Sequence, residues 1–79
     1  MRVVSSDKMT CVPYENNFFA VVKDDNGEDF HIALRLSDFI HFIPLATYKD
    51  EVRAMNVFND MIAAGERCMI PNGTFDFPT

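Results

Sequence analysis

Residues 47–65, TYKDEVRAMNVFNDMIAAG, are the one stretch of this chain whose periodicity reads as an amphipathic helix. On a helical wheel Tyr48, Val52, Met55, Phe58 and Ile62 share a face, widened by Ala54 and Met61, while Lys49, Arg53, Asn56 and Asp60 fall opposite. That stripe is expected to face a core. Thr47 offers an N-cap side chain, Asp50 stands at capping-box spacing, and Asp50 and Glu51 put negative charge where the helix dipole favours it. Gly65 is expected to stop the helix. Asn59 falls inside the apolar stripe, so its amide would need partners there.

Outward from the helix the chain reads as strands. Residues 2–5 and 9–12 are short β-rich runs around the polar turn Ser6-Asp7-Lys8, hence a hairpin that Pro13 ends. Residues 18–22, FFAVV, are apolar on both faces and run into Asp24-Asp25-Asn26-Gly27, a strong hairpin signal. The returning strand alternates, with Phe30, Ile32, Leu34 and Leu36 on one side and His31, Ala33 and Arg35 on the other. Residues 39–43 read as a further strand stopped by Pro44, although Ser37 could instead cap a single helical turn over 37–40. After Gly65 come a short strand at 67–70, a turn at 71–74 and the tail Phe75-Asp76-Phe77-Pro78, whose two Phe share a side and should dock. The expected fold is α+β: a small antiparallel sheet of four to five strands, one amphipathic helix packed on one face, and a short C-terminal strand, all in one domain over 1–79.

Composition bounds the function. Area scaling for 9.0 kDa gives roughly 4,900 Å² folded against about 13,000 Å² unfolded, so a lone monomer is marginal. Hydrophobic residues nevertheless make up 48% of the chain and eight are Phe, more than one helix covers on one sheet face. The excess reads as a subunit interface in a homodimer or higher oligomer. A net charge of −5 with only seven Lys and Arg argues against a nucleic-acid binder. The N-terminal run lacks an apolar signal core, and no apolar run approaches the roughly 20 residues of a membrane span. A cytoplasmic protein is expected, with Cys11 and Cys68 as reduced, half-buried thiols.

Few constellations carry chemistry. The acidic tip 24–29 fails as a calcium loop, because counting back from Gly27 puts Val22 and Ala33 at ligand positions. His31 and His41 lack carboxylates or thiols at ligand spacing, so no metal is expected. No thiol–imidazole pair has a local turn that would activate it, and 79 residues leave little room for a water-excluding pocket, so the expectation is not an enzyme, with no cofactor. What remains are Arg2, Arg35 and Arg53. As structure these are surface charges. As function, Arg35 on the non-core side of its strand could hold an anion while Tyr14 or Phe42 stacks on a base, with Arg2 or Arg53 contributing from a neighbouring subunit.

Three segments together, MRVVSSDKMTCVPYE, the helix TYKDEVRAMNVFNDMIAAG and the closing TFDFP, resemble a set of short phage- and prophage-encoded proteins. These open on an MRV-hydrophobic-Ser run, carry Pro-Tyr-Glu after the first hairpin, enter one amphipathic helix through a charged cap and end in Phe-x-Phe-Pro. Here the matching positions are Pro13-Tyr14-Glu15 and Phe75-Asp76-Phe77-Pro78, and the variable middle is not covered. The resemblance implies a small counter-defence protein acting in the host cytoplasm. It would sequester a nucleotide immune signal of the cyclic nucleotide or cyclic ADP-ribose type in a homo-oligomer. Two alternatives are an anti-CRISPR-type inhibitor on the surface of a host defence protein, and a structural or accessory phage protein.

Overall fold

The computed structural model describes residues 1–36, 41–67 and 73–78. The sequence expectations at 37–40 and 68–72, together with Cys68, lie outside the described residues. Six strands and one helix follow in the order β1 (Arg2–Val4), β2 (Cys11–Pro13), β3 (Phe18–Lys23), β4 (Phe30–Arg35), β5 (Phe42–Tyr48), α1 (Glu51–Arg67) and β6 (Thr74–Asp76). The α+β class and the single helix on a sheet are as expected. The strands, however, divide between two three-stranded sheets, ordered β3-β4-β5 and β2-β1-β6. Among the described residues no helix is long and apolar enough to cross a membrane.

The large sheet is antiparallel throughout, with Phe18 opposite Arg35 at one end of β3 and Lys23 opposite Phe30 at the other. Between them the acidic tip closes as a hairpin loop. Gly27 N–H donates to Asp24 carbonyl at 2.9 Å and Asp24 N–H to Asp29 carbonyl at 2.8 Å, and Gly27 takes φ +74°, which its missing Cβ permits. β5 does not stop at Pro44. It runs on to Tyr48, with an irregularity that skips Leu45 between the pairs Ile32–Ala46 and Ala33–Pro44. A proline fits because β5 is an edge strand and the bulge absorbs the missing donor.

In the small sheet Val3 lies between Val12 and Phe75 and is fully buried. β6 joins β1 in parallel, so the C-terminal tail docks as a strand, and Phe77 beyond it is buried against the same core. Hydrogen bonds tie the sheets together. Ser6 N–H donates to Leu45 carbonyl at 2.8 Å, and Tyr48 hydroxyl donates to Pro78 carbonyl at 2.5 Å. The Ser6-Asp7-Lys8 turn is held by Ser5, whose buried hydroxyl donates to Asp7 and accepts from Thr10 N–H. Cys11 is exposed rather than half-buried.

The helix differs most from expectation. Tyr48 belongs to β5, and Thr47 points from that strand to His31, so neither can start a helix. Asp50 is the cap, its carboxylate accepting from Val52 N–H at 3.0 Å while its carbonyl accepts from Ala54 N–H. The chain stays helical through Gly65 to Arg67. Ala54, Val57 and Met61 form the buried stripe, with Phe58, Ile62 and Ala64 half-buried against it. Val52 is 65% exposed and Met55 40%, and Asn59 faces solvent, so its amide meets no core. Small Ala54 lets the helix approach the sheet closely, and this sets the face. Met61→Ala should therefore cost about 2–5 kcal/mol as a core cavity, and Val52→Ala under about 0.5 kcal/mol, read from denaturant midpoints. Equal losses would show the helix turned the other way.

Candidate functional site

Because α1 packs over the side of the large sheet that carries Phe19, Val21, Ile32 and Leu34, the alternation of the strands turns the other side outward. The register sets this outer side in three cross-strand rows: Phe18, Arg35 and Phe42; Ala20, Ala33 and Pro44; Val22, His31 and Thr47. The middle row is made of small side chains, and Ala33 is fully covered by its neighbours. The first row pairs the half-buried Arg35 in register with Phe18, 61% exposed, on one neighbouring strand and Phe42, 38% exposed, on the other. Directly opposed side chains in an antiparallel sheet lie about 5 Å apart. A guanidinium with a ring on each flank can bind a phosphate or carboxylate through paired N–H donors while a planar group lies against a ring.

In the third row His31 Nδ1 lies 2.8 Å from Thr47 Oγ1 and Nε2 lies 3.5 Å from Asp24 Oδ2, and its ring is tilted toward Phe42 at 6.5 Å. The outer face is thus polarised along the strands. Arg35 marks one end, and the acidic tip marks the other, about 16 Å away at the rise of a strand.

A second concavity lies on the helix side. Tyr14, Glu15, Asn16, Asn17, Phe58 and Ile62, with Phe18 and Phe19 of β3, line a cleft of about 380 Å³. Tyr14 stacks on Phe19 at 5.8 Å and 11°, and its ring presses on the helix backbone at Gly65. A Cβ there would stand 2.5 Å from the ring carbons Cε2 and Cζ. At the rim Glu15 accepts from the Met1 ammonium at 2.6 Å. That hydrogen bond holds the carboxyl below its ordinary range. A carboxylate and two amides around an apolar floor favour uncharged or cationic guests over anions.

The structure brings Arg35 and Phe42 together and separates the other sequence candidates from them. Tyr14 belongs to the cleft. Arg53 lies over the Tyr48 ring at 5.9 Å, and Arg2 is exposed on β1 between Pro13 and Thr74. The ring the sequence reading missed is Phe18. Its neighbour Phe19 points to the opposite face. Counting back from the hairpin tip would have found it, since a loop over 24–29 puts Lys23 opposite Phe30 and hence Phe18 opposite Arg35. Among the described residues no three His, Cys, Asp or Glu side chains converge as a metal site would require.

Two measurements check this geometry. In most helices Gly→Ala gains about 1 kcal/mol, but here Gly65→Ala should lose about 1–3 kcal/mol through overpacking against Tyr14. The loss should shrink in a Tyr14→Ala background, because the two residues share one contact. A folded-state carboxyl pKa below the unfolded one gives stability that is present above the carboxylate range and lost as pH falls through it. Glu15→Gln should therefore flatten the decline of the denaturant midpoint between about pH 6 and about pH 3; an unchanged slope would remove the Met1–Glu15 contact as its cause. No family model, curated protein or solved structure matches the chain, so the reading of the site rests on the residues themselves.

Proposed function

We propose that the chain is a small non-enzymatic binding protein, assembled from copies of itself, that holds an anionic, ring-bearing ligand of nucleotide type on the outer face of the large sheet. The observation that carries this reading is the row Phe18, Arg35, Phe42, an arginine paired in register with two partly exposed phenylalanines. A phosphate on Arg35 and a base against Phe42 or Phe18 use both parts of the row. The acidic tip stands at the far end of the face, so repulsion there orients an anion toward Arg35. Together with the resemblance to phage-encoded proteins, this suits the sequestration of a nucleotide immune signal in the cytoplasm of an infected host.

A charge-assisted phosphate contact is worth roughly 1.5–3 kcal/mol, so Arg35→Ala should weaken binding about ten- to a hundredfold. Phe42→Ala should cost about 1–3 kcal/mol as lost stacking, with the circular dichroism spectrum of both variants unchanged. Calorimetry against cyclic nucleotides and cyclic ADP-ribose isomers reads both effects. If no member of that panel binds more tightly than about 10 µM, the reading gives way to an inhibitor that occupies the surface of a host defence protein.

A further inference from the structure

The two edges of the large sheet are unlike. At β5, Pro44 lacks a donor, the strand is irregular at Leu45, and Ser6 N–H already occupies the Leu45 carbonyl. These features close an edge to further pairing. At β3, by contrast, six residues FFAVVK lie in unbroken register with β4 and have no strand on their other side among the described residues. Such an edge is a template for another strand.

We propose that a second copy of this chain fills it, β3 against β3, antiparallel about a two-fold axis at Ala20, so that two three-stranded sheets join into one of six. This deepens the reading of a self-assembled binding protein and rests on it for the identity of the partner. Residues directly opposed in an antiparallel pair share a face, and this axis sets Ala20 against the partner's Ala20. It also sets Phe18 against the partner's Val22 and Phe19 against the partner's Val21. Each of these three pairs is apolar, with small residues where the copies meet. Moving the axis to Val21 would instead set Phe19 against the partner's Lys23.

Charge and area agree. In the Ala20 register Lys23 falls opposite the partner's Asn17, on the helix side, at a cleft rim whose Glu15 side chain is 57% exposed. Phe58 and Ile62 line that cleft with Phe18 and Phe19, so this flank of α1 stands over the β3 edge, and Met55 extends it at 40% exposure. The chain exposes 5276 Å², against about 4,900 Å² for its mass. A strip about 20 Å long and about 20 Å deep has a flat area of about 400 Å² on each copy, about 800 Å² in total before side-chain relief, in the range of weak, transient interfaces. A dimer that dissociates on dilution is the consequence.

The second copy also completes the ligand row. Beyond Phe18 the same row continues into the partner's Val22 and the partner's His31. Phe18, 61% exposed, thus gains an apolar neighbour, with an imidazole about 10 Å further on, two strand spacings away.

The test uses the full chain with Cys11→Ser and Cys68→Ser, in which Ala20→Cys should form a covalent dimer on mild oxidation and Val21→Cys should not. Opposed positions on the axis fall within disulfide reach. In the otherwise unaltered chain, light scattering should show a dimer with a dissociation constant on the order of micromolar. Phe18→Lys and Val22→Glu should each raise that constant about tenfold or more, and the double variant should recover most of the loss, because the two new charges oppose each other across the interface. Circular dichroism checks that each variant is folded. A chain that stays monomeric at about 100 µM, a Val21→Cys variant that cross-links as readily as Ala20→Cys, or an oligomer indifferent to Phe18→Lys would overturn the proposal. Cross-linking needs no nucleotide, so a dimer that binds no member of the nucleotide panel would sink the ligand reading while leaving the pairing intact.

Discussion

One helix covers one face of a sheet, and that limit governs this molecule. α1 seals the side of the large sheet that carries Ile32 and Leu34, and no second helix is present among the described residues for the other side. The chain answers in part by making the middle of that outer side small. Ala20, Ala33 and Pro44 share a row, and Ala33 is shielded by its neighbours without any further layer. It answers in part with the small sheet, which closes the β5 flank through Ser6 and contributes Val3 and Phe77 to the core. Neither device reaches β3. The apolar surface left there is a direct result of covering three strands with one helix, and the candidate ligand row borders it.

How much of this the sequence disclosed depends on the kind of signal. Strand alternation and turn chemistry are local, so both hairpins and the docking tail were legible. The helix face was not, because two apolar stripes lie side by side on α1: Val52, Met55, Phe58 and Ile62, and Ala54, Val57 and Met61. A wheel weighted by side-chain size selects the first. Packing selects the second, since Ala54 permits a closer approach than Met55. Tyr48 compounded the problem. Its period fits the helix, but pairing with Phe30 draws it into β5, and tertiary pairing overrides local pattern. Gly65 likewise looks like a terminator in one dimension and becomes a seat for the Tyr14 ring in three.

The candidate site was half legible. That Arg35 points away from the core follows from alternation alone. Which ring stands beside it requires the register, and the register was available in the length of the acidic hairpin. The distance of Tyr14, Arg2 and Arg53 from that row was not available, because it depends on two separate sheets where the alternation suggested one. The division itself follows from the parallel pairing of β1 with β6, a contact between the two ends of the chain that no short-range pattern announces.

That same pairing has a consequence for how the protein is made. Residues 2–4 hydrogen-bond with residues 74–76, so β1 lacks this partner until β6 has been made. Contacts of such high sequence separation form late and slow the search for the native state. On the ribosome, Val3 has no Phe75 beside it and Tyr48 has no Pro78 carbonyl to donate to until residues 75–78 have emerged. The β3–β4 hairpin, complete by residue 35, is by then already formed, with its apolar edge open. The nascent chain therefore passes through an interval in which the β3 edge is exposed while β1 still lacks β6.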